Sequence, residues 1–146
     1  MTRLLATSSA IVALTGCVVV ADNDPQPPPP PPPVFVNHVP VVVDAAAYVY
    51  WDDYNYDDIW YFQSTVDDMD GVYDVNQVWA DVYDERSGTL IDSFELYPSQ
   101  DPFTWWSDWL GSSTYLDPFY GGYTVDFTVY DAIGDFSVST VWADTY

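Results

Sequence analysis

The chain has 146 residues, enough for one domain with a sizeable core and too few for two comfortable ones. It carries 23 acidic residues against two basic ones, a formal net charge of -21, which excludes nucleic acid and anionic lipid head groups as partners of its surface. Aromatic residues make up 18% of it, and all the acids except Glu85 and Glu95 are aspartates, a mixture that favours strands and turns over helices.

Met1-Thr2-Arg3 followed by the apolar run Leu4 to Leu14 has the form of a signal peptide over residues 1–16, because an apolar stretch of about a dozen residues is too short to span a bilayer. Leu14-Thr15-Gly16-Cys17 resembles the lipobox of bacterial lipoproteins, and the chain's single cysteine stands at the motif's last position. The resemblance implies cleavage before Cys17, acylation of its thiol and new amino group, and an anchor of two or three chains, which holds stably where one would not. It also implies export to the cell envelope. Val18, where an aspartate would resemble an inner-membrane retention signal, favours an outer-membrane anchor. With Cys17 used in this way, no disulfide is available to the rest of the chain. Residues 17–33 then read as the lipidated cysteine and a linker, whose proline run from Pro27 to Pro33 forms a stiff polyproline II spacer of about 3.1 Å per residue.

Residues 34–146 break into short β-rich runs separated by turn signals. Strands are expected near 39–51, 59–66, 75–83, 89–96, 112–116, 123–130 and 136–142. Asp70-Gly71, Ser87-Gly88 and Ile133-Gly134-Asp135 punctuate them as hairpins. Seven strands at this spacing fit an all-β, Greek-key sandwich of immunoglobulin type. The segment Gly122-Tyr123-Thr124-Val125-Asp126-Phe127-Thr128-Val129-Tyr130-Asp131-Ala132-Ile133-Gly134 resembles the penultimate hairpin of bacterial Ig-like and PKD-like domains. Asp68-Met69-Asp70-Gly71-Val72-Tyr73-Asp74-Val75 is similar to their B-to-C turn. The Trp-Asp-Phe-Gly-Asp core of PKD domains is missing, so the resemblance goes no further than Ig-like. It implies a surface module for adhesion, spacing or protein contacts.

Two clusters are candidate binding features. Asp67, Asp68, Asp70 and Asp74 put several hard oxygen ligands within eight residues, as calcium requires; the competing reading is a solvated turn. Val66 and Gln77 would fall at the first and last ligand positions of an EF-hand, so it is not one, and Asp52, Asp53, Asp57 and Asp58 are further acids that either add ligands or form another wet loop. The segment 103–110 holds Trp105, Trp106 and Trp109 and is expected to form one short helix, capped by Asp101 with Pro102 at its first position. Those rings are either a sugar-binding platform or a plug for the open end of the sandwich.

Catalysis is not expected. His38 is the only histidine, lysine is absent and there is no second cysteine, so triads, dyads and histidine metal sites lack their parts. The expected function is that of a membrane-anchored envelope or surface lipoprotein with a non-catalytic Ig-like interaction or spacer domain. The alternative is a calcium- or carbohydrate-binding surface module. Expected partners are the membrane, through Cys17, and a protein or glycan. No cofactor is required, and calcium is the one candidate ion.

Overall fold

The computed structural model of the chain describes residues 28–34 and 36–146. The signal peptide, Cys17 and the start of the linker lie outside the described residues. Prolines 28–33 are exposed and form no hydrogen-bonded secondary structure. The unit Phe35–Tyr146 holds every strand.

Seven strands follow one another: β1 (Val41–Asp52), β2 (Asp57–Asp67), β3 (Val75–Asp84), β4 (Thr89–Pro98), β5 (Thr104–Leu110), β6 (Tyr123–Asp131) and β7 (Phe136–Trp142). Short 3₁₀ turns occupy Val72–Asp74 and Gly111–Ser113, and there is no α-helix among the described residues. Every ladder is antiparallel, and the order is β1-β2-β5-β4-β3-β6-β7. This ribbon forms two layers, β1-β2-β5 and β4-β3-β6-β7, with only Tyr97–Trp106 and Pro98–Trp105 pairing across the seam between β4 and β5. Strands one, two and five against three, six and seven is the immunoglobulin arrangement, with the fourth strand placed beside the third.

The layers are held by what alternates inward. In β6, Tyr123, Val125, Phe127 and Val129 are buried while Thr124, Asp126 and Tyr130 are partly exposed, a period of two that puts one face on a core and is interrupted only at Thr128, which is covered as well. Facing them, β2 buries Trp60, Phe62 and Val66, and the Phe62 ring stacks on Phe94 of β4 with centroids 4.7 Å apart. Each such side chain taken out of water contributes about 1.5–3 kcal/mol. The outermost strands of the ribbon, β1 and β7, meet each other in parallel. Ser137 Oγ donates to Pro40 O at 2.6 Å, and further along Asp144 N donates to Ala47 O at 2.8 Å and Val49 N to Asp144 O at 3.1 Å.

Three expectations about elements are corrected. Residues 103–110 contain a strand, not a helix. Asp101 does cap the segment, its carboxylate accepting from Phe103 N and Thr104 Oγ1, but such a cap serves a turn as well as a helix. What decides the segment is that Trp105 and Ser107 are buried at a period of two while β5 pairs with β2 along its length. Residues 112–116 form no strand: Ser112 is bound by both its N–H and its hydroxyl to Asp57 Oδ2, which ties that stretch into a 3₁₀ turn and loop. Asp70-Gly71 does not close a hairpin, because β2 and β3 lie in different layers and the connection between them crosses over. Ser87-Gly88 and Ile133-Gly134-Asp135 do close hairpins, with Gly88 and Gly134 at positive φ.

Candidate functional site

One end of the sandwich gathers the crossover 67–75, the β6–β7 turn and the incoming residues Asn37 and His38. The crossover is shaped by Gly71, whose φ of 115 is open to glycine, and by two backbone bonds, Gly71 N to Asp68 O and Asp74 N to Gly71 O. As a result Asp68, Asp70 and Asp74 bring one carboxylate oxygen each to within 4.8 Å of one another. Asp67 is not among them; it is exposed, and its Oδ1 accepts from Asp68 N.

The three carboxylates differ in their surroundings. Asp68 is buried, its Oδ1 accepting from Asp70 N at 2.7 Å while Oδ2 has no partner. Asp70 accepts from His38 through both oxygens, from the backbone N–H at 2.6 Å and facing Nδ1 at 2.9 Å, and the side-chain bond holds its pKa below the ordinary carboxylate value. Asp74 is pushed the other way, first by partial desolvation and then by the charges of Asp68, Asp131 and Asp70. Asp131, almost wholly buried, is fully satisfied. Its Oδ1 accepts from the N–H groups of Ile133, Gly134 and Asp135, and its Oδ2 from Asn37 Nδ2 at 2.7 Å. Burial pushes its pKa up, but these bonds outweigh that and hold it down. A cleft of about 620 Å³, lined by Asn37, Asp70, Gly71, Tyr73 and Asp74 among others, opens beside the group.

The second candidate surface is the outer face of β1-β2-β5. The tryptophans of β5 do not form one platform. Trp105 points inward and is 8% exposed, and Trp109 leans on Phe94 at 5.6 Å. Trp109 is nonetheless 38% exposed, as much as Trp106, which lies on the other side of the strand and stacks on Tyr61 at 5.9 Å; Tyr61 in turn meets Tyr48 at 5.0 Å, beside Tyr50. Tyr97 of β4 pairs with Trp106 and lengthens the row across the seam. Trp106, Tyr48, Tyr50 and Tyr97 are 38%, 37%, 41% and 56% exposed. Asp108 lies opposite Tyr61 in the ladder, and Tyr61's phenol is pushed up by partial burial and then by Tyr48 and Asp108. Beyond Trp106 a cleft of about 160 Å³ runs along Tyr97, Pro98, Asp108 and Trp109.

Sequence reasoning missed Asn37 and Asp131 at the acidic end, and Tyr48 and Tyr61 on the outer face. The signal for the tyrosines was present in the outward positions of two alternating strands. The role of Asp131 was hidden in a turn signature read only as a hairpin. Comparison with family models, with curated proteins and with solved structures gives no match.

Proposed function

We propose that this chain is an envelope lipoprotein anchored through Cys17, whose folded domain is a non-catalytic Ig-like interaction module that contacts a cationic polypeptide through the outer face of β1-β2-β5. The observation that carries the reading is the row Tyr50, Tyr48, Tyr61, Trp106 and Tyr97, in which all but the half-buried Tyr61 are exposed although each ring would gain from burial. Its chemistry favours a cation. Phenol and indole faces attract ammonium and guanidinium groups, and Asp108 within the row adds a full negative charge. The chain supplies almost nothing to meet that demand itself: beyond Arg3 its one basic side chain is Arg86, in the β3–β4 turn. The lack of lysine, of a second histidine and of a second cysteine supports a role without catalysis.

The segment 34–146 contains every strand and every buried core residue among those described, so it serves as the soluble test protein. Its tryptophan fluorescence is titrated with a lysine- and arginine-rich peptide at physiological salt, and in parallel with neutral oligosaccharides. Binding of the peptide that Trp106→Ala or Tyr61→Ala weakens about three- to tenfold supports the reading. Peptide binding indifferent to both substitutions is general charge attraction and counts against it. Binding of oligosaccharide alone replaces the cationic partner with a glycan.

A further inference from the structure

We propose that Asp68, Asp70 and Asp74 form a site for one divalent cation of calcium character, with Asp68 Oδ2 as its buried ligand. An acidic cluster alone is ordinary surface chemistry, and what sets this one apart is that unpartnered oxygen. Five buried side-chain polar atoms lack a partner among the described residues: the indole nitrogens of Trp60 and Trp105, the hydroxyls of Ser64 and Ser107, and Asp68 Oδ2. Only the last belongs to an ionisable group. A neutral orphan costs a modest desolvation penalty, whereas a carboxylate withdrawn from water without a counter-charge costs far more and must be neutralised or matched.

Asp131 provides the internal comparison. It is 1% exposed against 6% for Asp68, and the fold has given it four N–H donors. The same end of the same domain therefore satisfies both oxygens of one buried aspartate, and leaves Oδ2 of the other without a donor in a carboxylate that stands beside two more. No arginine or lysine stands among the residues around them, and His38 is committed to Asp70.

The spacing admits calcium. Calcium binds oxygen at about 2.3–2.6 Å, so oxygens on opposite sides of one ion stand roughly 4.6–5.2 Å apart, and the 4.8 Å within which these three oxygens lie allows one calcium between them. Magnesium, with its strict octahedral demands and its reluctance to shed water, is less suited to three carboxylates from one irregular crossover. All-oxygen ligands without thiolate or free imidazole disfavour zinc and copper. Asp70 keeps lone pairs for a cation while accepting from His38, and the cleft beside Asp70 and Asp74 leaves room for water to complete the shell.

The test is calorimetric titration and thermal unfolding of the 34–146 segment with calcium chloride, with magnesium chloride at equal concentration as control. The expected result is one calcium per domain and a midpoint raised several degrees beyond the magnesium value, since a ligand that binds only the folded state stabilises it. Asp70→Asn and Asp74→Asn, both on partly exposed carboxylates, are expected to weaken calcium at least about tenfold. Asp53→Asn, in the β1–β2 turn at the opposite end, leaves it unchanged, as does Trp106→Ala on the outer face. Equal responses to the two ions, or a calcium response that survives both Asp70→Asn and Asp74→Asn, would overturn the site. Because the folded fraction is read in the same scans, a variant that fails to fold is recognised and the other decides.

Discussion

Asp84, at the end of β3, shows how a single half-buried carboxylate is used in a chain with an excess of them. It accepts from the Tyr120 hydroxyl and from Ser87 N, and these bonds, the Tyr120 one foremost, hold its pKa down to about 2 from an ordinary 3.8. The same contact pushes the Tyr120 phenol up. A group whose folded pKa is depressed contributes stability that is fully present above its unfolded value and is lost as pH falls through the folded one. The contribution of Asp84 therefore declines below the ordinary 3.8 and is lost as pH falls through about 2. The raised Tyr120 works in the other direction, its contribution being present below the ordinary 10.0 and lost as pH rises through the folded value. Urea unfolding followed from neutral pH down to about pH 2 is expected to show a shallower acid dependence in Asp84→Asn and in Tyr120→Phe than in the parent. A parent-like acid slope in both would show that the bond does not govern it. Gly122 belongs to the same arrangement, because a Cβ there would overlap the Tyr120 ring and swing it away from Asp84.

Among the elements, β2 has the most to lose. It lies between β1 and β5, and its Phe62 has no exposure and stacks across the layers on Phe94. Phe62→Ala is expected to cost about 3–5 kcal/mol, read as the shift in chemical-denaturation midpoint at constant slope; a loss under about 1 kcal/mol would mean that the layers close over the gap. Six of the seven strands were legible because alternation and flanking turn residues are local signals, and β6 and β7 show this best. Two segments were not. In 101–110, Asp101 and Pro102 are as compatible with a turn as with a helix, and only the partner strands on either side decide which forms. In 112–116 the decisive partner is Asp57, fifty-five residues away. The acidic site was legible in part for the same reason: Asp68, Asp70 and Asp74 sit in one short crossover, whereas Asp131 and Asn37 arrive from distant segments. The tryptophan segment showed that rings were present but not which face each would take, since a helix and a strand both place Trp105 and Trp109 on one side.

For the whole molecule the proposed anchor is the feature with the largest consequence for behaviour in the cell. Cys17→Ser in the full chain, produced in a bacterial host that processes lipoproteins, is expected to abolish incorporation of a labelled fatty acid and to move the protein from the membrane to the soluble fraction. Unchanged labelling and fractionation would remove the anchor from the proposal. The acidity bears on the same scale: a surface with a net charge of -21 is held away from anionic head groups, leaving attachment to the lipid chains. The meeting of β1 with β7 adds a constraint of another kind. A sandwich normally ends in two strands whose backbone groups face outward and invite a neighbour's strand to pair with them. Here the bonds from Ser137 to Pro40 and between Asp144 and the Ala47–Val49 stretch set each terminal strand against the other. Copies crowded together on a surface are thus hindered from adding a strand at β1 or β7, whereas β4 and β5, joined across the seam only at Tyr97–Trp106 and Pro98–Trp105, keep the rest of their facing edges open to one.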